Sequence, residues 1–293
     1  MKPFAILISA ALIAMSVSYV TVKVVSPGNI SYQSSETAYD RVLRTGTIRC
    51  GYFVWAPNIM KDPNTNKISG INHDIMQKIG EKLDLKVEWT TITDVAEIVV
   101  GLNAGKYDVM CASLWPNAGI LKNITLTEPE FYTPVYGVVR KGDDRFDGNL
   151  QKANNPSVHV SAIDSDITAD LAHEFLPKAT EAFLPQDGSG SDVLLQITTR
   201  KADIAFVDRG LINNFILHNP DSLQIVANVP PMRIFGERLA VARHEFELKQ
   251  MIDLSLEQLI NDGTIKKLVA RYTNSFDTEI IAPNLAYTLQ KGQ

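Results

Sequence analysis

Apolar residues recur along this chain in two alternating rhythms. Short apolar runs rich in β-branched or aromatic residues predict strands at Thr47–Tyr52, Leu85–Thr90 and Val109–Ala112. Between them, Ile75, Ile79 and Leu83 fall at helical spacing, so Asp74–Leu83 is predicted as a helix. Thr37 opens an earlier helix that stops at Gly46. Asp94 is placed to cap a helix reaching Ala104, which Gly105 closes in the left-handed conformation. A second set of elements follows. Its strands are predicted at Ser157–Ala162, Glu181–Leu184, Ala202–Phe206, Leu223–Val226 and near Arg238–Ala242. Its helices are Thr168–Phe175, one capped by Ser191 and running through Thr199, Arg209–His218, Glu247–Asn261 and Ile265–Tyr272. Strands alternating with helices are the mark of an α/β fold, a sheet covered by helices. Two extended connectors, near Pro134–Arg140 and Met232–Ala242, join the two sets. They predict two lobes with a cleft, the default place for a ligand.

The N-terminus breaks this rhythm. Lys2 precedes an uncharged run from Pro3 to Val22, and Lys23 follows. A basic residue before a long apolar segment is the pattern of an export signal. A run of about 19 residues is also long enough to span a bilayer, so an uncleaved anchor is the alternative. No later apolar stretch is long enough to cross a membrane.

Composition narrows the chemistry. The 293 residues suffice for two lobes with real cores. A net charge of −5 without a basic stripe argues against nucleic acid. His73, His159, His173, His218 and His244 are scattered, with no metal or triad spacing, and no serine elbow, phosphate loop or HExxH is present. The expectation is therefore no metal, no cofactor and no catalytic residue. Cys50 and Cys111 stand near the ends of two predicted strands. Export would permit a bridge, but adjacent parallel strands rarely offer the geometry. Two buried thiols are expected, with a disulfide as the alternative.

The most specific stretch is Lys106–Gly142, KYDVMCASLWPNAGILKNITLTEPEFYTPVYGVVRKG. It reads as a buried strand, a polar turn, a short helix and a second strand. With Gly51, NKISGINHDIMQKIG, AGKYDVM, KADIAFVD and LEQLINDGTIKKLVARY, it resembles in order and spacing the bacterial family 3 periplasmic solute-binding proteins, which usually bind polar amino acids. The resemblance runs from about Ala38 to Tyr272. It implies a two-lobed periplasmic-binding-protein type II fold, each lobe a mixed sheet flanked by helices, with two crossover strands. The implied organisation is a signal or anchor at 1–25, a tether at 26–36, lobe 1 at 37–137 and 239–277, lobe 2 at 138–238, and a tail at 278–293.

The resemblance also implies site residues. Ser113 matches a serine that contacts the ligand, beside Leu114. Trp115 stands where a small hydroxyl residue is usual. Ile120 falls on an arginine that clamps the ligand's carboxylate. Ser165 and Asp166 replace a glycine–threonine anion turn, and Asp208 retains the aspartate that accepts the ligand's ammonium. Phe53 and Trp55, just beyond a strand end, are candidate walls. Losing the arginine fork costs about 2–5 kcal/mol for a carboxylate ligand, a loss of thirtyfold or more. Aromatics with carboxylates suit a cation or a neutral ring instead. The implied role is an exported, monomeric, non-enzymatic receptor in the periplasm that delivers a small-molecule ligand to an inner-membrane ABC permease. It touches the membrane only through its N-terminal segment. The alternatives are a cyclohexadienyl dehydratase-like enzyme and a membrane-tethered sensory or accessory protein.

Overall fold

The structure, a computed structural model, describes residues 36–117 and 119–284. The expected export run, nearly all of the tether and the last residues of the tail lie outside the described residues. The described residues from Ala38 to Asn284 form one compact unit.

The first half opens with α1 (Ala38–Thr45) and β1 (Thr47–Tyr52). A small hairpin, β2 (Met60–Lys61) with β3 (Ile68–Ser69), leads into α2 (Ile71–Leu83) and β4 (Lys86–Ile92). α3 (Ile98–Asn103), β5 (Val109–Leu114), β6 (Ile124–Leu126) and the long β7 (Phe131–Arg140) follow. The second half holds β8 (His159–Ile163), α4 (Ile167–Phe175), β9 (Thr180–Leu184), α5 (Gly190–Thr198), β10 (Ile204–Asp208), α6 (Arg209–His218) and β11 (Leu223–Ile225). β12 (Arg233–Ala242), α7 (Phe246–Asn261) and α8 (Thr264–Phe276) return to the first half.

The principal strands run in the order β4-β1-β5-β12-β7-β10-β8-β9, with β11 on β7 and β6 on β12. β1 is parallel to β4 and β5, and β8 is parallel to β9 and β10. The antiparallel pairs are made by β7 and β12. β12 changes partner partway along. Glu237 pairs with Phe131 of β7, and the next residue, Arg238, pairs with Leu114 of β5.

Period-two side-chain alternation divides the core, because neighbouring strand residues face opposite ways. Val109 and Cys111 face a cluster with Ile75, Ile79, Leu239, Ile252 and Leu256; Met110, Ala112 and Leu114 face Tyr52, Ile98 and Tyr107. In the second half Ile204 and Phe206 pack with Val160 and Leu171, while Ala205 and Val207 pack with Val193 and Leu211. Tyr107 lies so close to β1 that a Cβ at Gly51 would sit 2.6 Å from its ring, so only glycine fits there.

Several expectations are corrected. Cys50 and Cys111 are joined in a disulfide, not held as thiols. Cys50 lies opposite Val109 on the parallel neighbour, so Cys111, two residues on, shares its face diagonally, and the Cα atoms are 5.4 Å apart. The short helix expected between the polar turn and the second strand is not found among the described residues. Turns carry that segment, Asn117 accepts the Ile120 N–H at 3.1 Å, and β6 follows. α3 begins at Ile98 rather than near Asp94, whose carboxylate instead accepts from Glu97 N at 3.0 Å in the preceding turn. α5 is capped by Ser189, not Ser191, in a reciprocal box with Asp192. The start of the tail is pinned: Ile281 exchanges both backbone hydrogen bonds with Tyr132, each 2.8 Å.

Candidate functional site

β1 and β5 end side by side, and the loops beyond them carry Phe53, Trp55 and Trp115. The second half contributes the turn after β8 and the approach to the start of α5. Strand ends and helix N-termini therefore converge on one cleft, the usual ligand position in α/β sheets. The cavity there measures about 250 Å³. That is below the roughly 300–1,000 Å³ of a drug-sized pocket, so its occupant is small.

Of the residues expected at the site, Phe53, Trp55, Ser113, Leu114, Trp115, Ile120 and Asp166 line this cavity. Ser165 and Asp208 are not among the lining residues. Ser165 takes a φ of 60°, the left-handed region, which fits the glycine of the resembling pattern better than serine. Asp208 is 4% exposed and fully engaged: Oδ1 accepts from Leu211 N and Oδ2 from Trp55 Nε1, both at 2.8 Å. Asp166 caps α4, accepting from Thr168 N at 2.9 Å and Thr168 Oγ1 at 2.8 Å. Arg209 turns to Glu279, 3.9 Å away, and lies over the Tyr136 ring.

The sequence reading missed Glu237, Asn58, Asp94 and Asp187 as lining residues. Asp94 had been spent as a helix cap. Glu237 did carry a signal, the one acid in the strand RIFGERLAVA, but its direction depends on the partner change of β12.

The tryptophans are held by carboxylates. Trp115 Nε1 donates to Glu237 Oε1 at 2.8 Å, as Trp55 does to Asp208. The two rings meet edge to face at 6.4 Å, and Trp115 stacks on Phe235 at 4.9 Å. Behind Ser113 lies Glu130, 0% exposed. Ser113 Oγ donates to Glu130 Oε2 at 2.6 Å and accepts from Asn72 Nδ2 at 2.5 Å. Asn72 also donates to Glu130 Oε2 at 2.9 Å, while Glu130 Oε1 is buried without a partner.

Burial sets the protonation of this acid group. It pushes Glu130 up to about 8, against the hydrogen bonds from Ser113 and Asn72, with the charge of Glu237 adding to the rise. It pushes Glu237 up to about 7, against the hydrogen bond from Trp115 and the nearby Thr133 hydroxyl, with Asp208 adding to the rise. Burial raises Asp166 and Asp208 as well.

Counter-charges are missing. Among the described residues no lysine or arginine lines the cavity, and no ion pair reaches Glu130, Asp166, Asp208 or Glu237. Asp108 shows what the chain does elsewhere with a buried acid: Arg41 and Arg49 both pair with it. A buried charge without a partner is costly and is relieved by protonation or by a cation. No cluster among the described residues could hold a metal ion.

Known proteins match this architecture. Residues 48–275 match the bacterial extracellular solute-binding proteins, family 3. The probable amino-acid-binding protein YxeM of Bacillus subtilis (strain 168) is 23% identical over 290 residues, covering 94% of this chain and 96% of that protein. A probable amino-acid ABC transporter-binding protein of Haemophilus influenzae is 32% identical over 106 residues, 36% of this chain and 40% of that protein. In structure, an amino acid ABC transporter substrate-binding protein of Streptococcus pneumoniae bound to L-arginine superposes with a TM-score of 0.69 at 16% identity. That match covers 82% of this chain and 100% of the other. It supports the type II periplasmic-binding fold, a mixed α/β sheet with flanking helices. With the family match running from β1 into α8, this chain belongs to the bacterial extracellular solute-binding proteins, family 3.

Proposed function

We propose that this protein is an exported receptor that captures a small cationic solute, or one with an aromatic ring, and hands it to an inner-membrane ABC permease. Its lobes are residues 37–137 with 239–277, and residues 138–238. The solute stabilises the closed form by touching both, with no covalent chemistry. In this reading residues 1–25 serve as a signal or anchor, and the receptor is a periplasmic monomer. Among the described residues no helix is long and apolar enough to cross a membrane.

One observation carries the ligand class: the cleft is lined by carboxyls, the buried Glu237 among them, beside tryptophans, without a basic side chain. A cation supplies the absent charge, and each ring face adds about 0.5–2 kcal/mol. A carboxylate would meet Ile120 where an arginine would have held it, and would face Asp166, Asp187 and Glu237. The names of the curated relatives favour an amino acid or a molecule close to one in size.

Calorimetry at pH 8 on protein purified without refolding tests this, using amines, guanidines and the common amino acids. At least one cation is expected to bind with a Kd of about 1 μM or tighter, near −8 kcal/mol. Uniform silence, or an acidic amino acid as the tightest ligand, would overturn it.

A further inference from the structure

The geometry points to Glu237 as the residue that holds the ligand's positive group, with Ser113 accepting a second N–H of that group, and to a carboxylate-free amine or guanidine with an apolar body as the ligand. This rests on the reading of the cleft as a cation site.

The other acids are excluded by what they already do. Asp208 has both oxygens engaged and does not line the cavity. Asp166 lines the cavity but is only half-buried, and its Oδ1 is taken by the cap of α4. Asp187 is exposed and Asp94 is half-exposed in its own turn, where water screens a charge. Glu237 alone combines a lining position with near-complete burial, at 2% exposure. Only its Oε1 carries a hydrogen bond from Trp115. Thr133 and Asn58 stand near enough to offset part of its burial cost, but neither brings charge.

Its place in the fold suits a ligand that closes the molecule. Glu237 is the last residue of β12 paired with β7 before Arg238 takes up β5. The side chain thus rises from the step between the two halves, within reach of a group held by both.

Ser113 completes the polarity. Its hydrogen goes to Glu130 and one lone pair is taken by Asn72, so one lone pair remains. A hydroxyl so fixed offers an acceptor, which matches an ammonium or guanidinium N–H and not a carboxylate oxygen. The cavity's apolar lining includes Ile98, Ile120 and Leu114, with Ile92 and Val54 further out. That lining fits an aliphatic or aromatic body better than a zwitterion's second charge.

The test is calorimetry with agmatine and phenethylamine, each set against its amino acid, arginine and phenylalanine. Wild-type protein is expected to bind at least one of the two amines roughly tenfold or more tighter than its amino acid. Glu237→Gln keeps an oxygen for the Trp115 N–H but removes the charge, so that amine should lose roughly thirtyfold or more. Asp164→Asn, an exposed acid outside the cavity lining, should change it by less than about threefold. Should Glu237→Gln fail to fold, the wild-type pH profile decides. With Glu237 titrating at about 7, amine affinity should tighten roughly tenfold between pH 6 and pH 8. Glu130, Asp208, Asp166, Asp94 and Asp187 face the same cavity or carboxyl; a cation favours the ionised form of each and so preserves the sign. Amine binding that survives Glu237→Gln within threefold, or a flat profile, overturns the assignment and leaves the cation reading standing. Binding of the amino acid as tightly as its amine overturns the ligand class. Wild-type protein that binds neither amine sinks both the class and the anchor, and if the wider panel is also silent, the cation reading with them.

Discussion

Trp55 donates its indole N–H to Asp208 at 2.8 Å, joining the loop after the first strand to a residue 153 positions later. Its six-membered ring lies over the first turn of α5, where a Cβ at Gly190 would stand 2.6 Å from it. One side chain therefore links the two halves of the fold by a charged-group hydrogen bond and by ring packing. The acid that the family pattern offers to a ligand's ammonium is spent here inside the protein.

Trp55→Phe should retain much of the packing while leaving Asp208 Oδ2 buried without its donor. An unsatisfied buried acceptor costs about 1–3 kcal/mol, so the urea midpoint should fall accordingly at pH 8. At a lower pH the loss should shrink, because burial raises Asp208 above its ordinary range and protonation relieves the charge. Paired denaturation curves at the two pH values check this.

Glu130 and Glu237 make stability depend on pH in a fixed direction. Both are raised from 4.5, to about 8 and about 7 respectively. As pH climbs from 4.5, the unfolded chain releases these protons first, so the folded state holds more of them and its stability falls until about pH 8. Below pH 4.5 this contribution is fully present. Asp203, lowered to about 2 by hydrogen bonds from the His159 N–H and two arginines against the burial cost, acts only at more acid pH. The urea midpoint of wild-type protein should therefore be higher at pH 5.5 than at pH 8. Glu130→Gln should flatten the difference while raising stability at pH 8. An unchanged slope in that variant would show that Glu130 does not titrate in this window.

The alternation of strands and helices was legible because burial imposes it locally. Ile204 to Val207 face two cores in turn, and Ile75 and Ile79 keep one helical face. Element ends were less legible. Ser189 and Ser191 are both competent caps, and only the partner Asp192 three residues on selects the first. The hairpin of β2 and β3 is too short to show a period. The site was legible where the chain runs straight into it, at Ser113, Leu114 and Trp115. It was hidden where a long-range event aims the side chain. Glu237 faces the cleft because β12 changes partners beside it, and Trp55 reaches Asp208 across the fold. The disulfide was hidden for the same reason, since a diagonal between parallel neighbours depends on a register that sequence does not print.

The Cys50–Cys111 bridge closes a loop of 61 residues within the core of the first half. Chain-entropy arguments assign about 4 kcal/mol to a loop of that size, an upper figure. Both sulfurs belong to fully buried residues, so a reductant reaches them only when the core opens. Native protein should resist millimolar dithiothreitol at 25 °C. Once reduced in urea, it should refold with a stability lower by about 2–4 kcal/mol. Cys50→Ala with Cys111→Ala should match the reduced protein. A double variant as stable as wild type would mean the bridge adds nothing to a core already closed around it.

Ile120 is the last and sharpest test, because it separates the scaffold from its charge pattern. Its backbone N–H is fixed by Asn117 and its side chain lines the cavity against the cluster of Ile98 and Leu114. An arginine stem can cover the same apolar surface and carry its guanidinium into the cleft. There it can fork a ligand carboxylate or neutralise the nearby acids. Ile120→Arg should thus improve affinity for an α-amino acid by at least tenfold, about 1.4 kcal/mol, and weaken cation binding by a similar factor. Titration calorimetry with glutamine and with agmatine reads the two changes separately. A fall for agmatine without a gain for glutamine would show that the positive charge arrives but that Trp115 fills the space a carboxylate needs. No change in either would mean that residue 120 does not face the bound ligand, and the cavity's apolar wall would have to be drawn elsewhere.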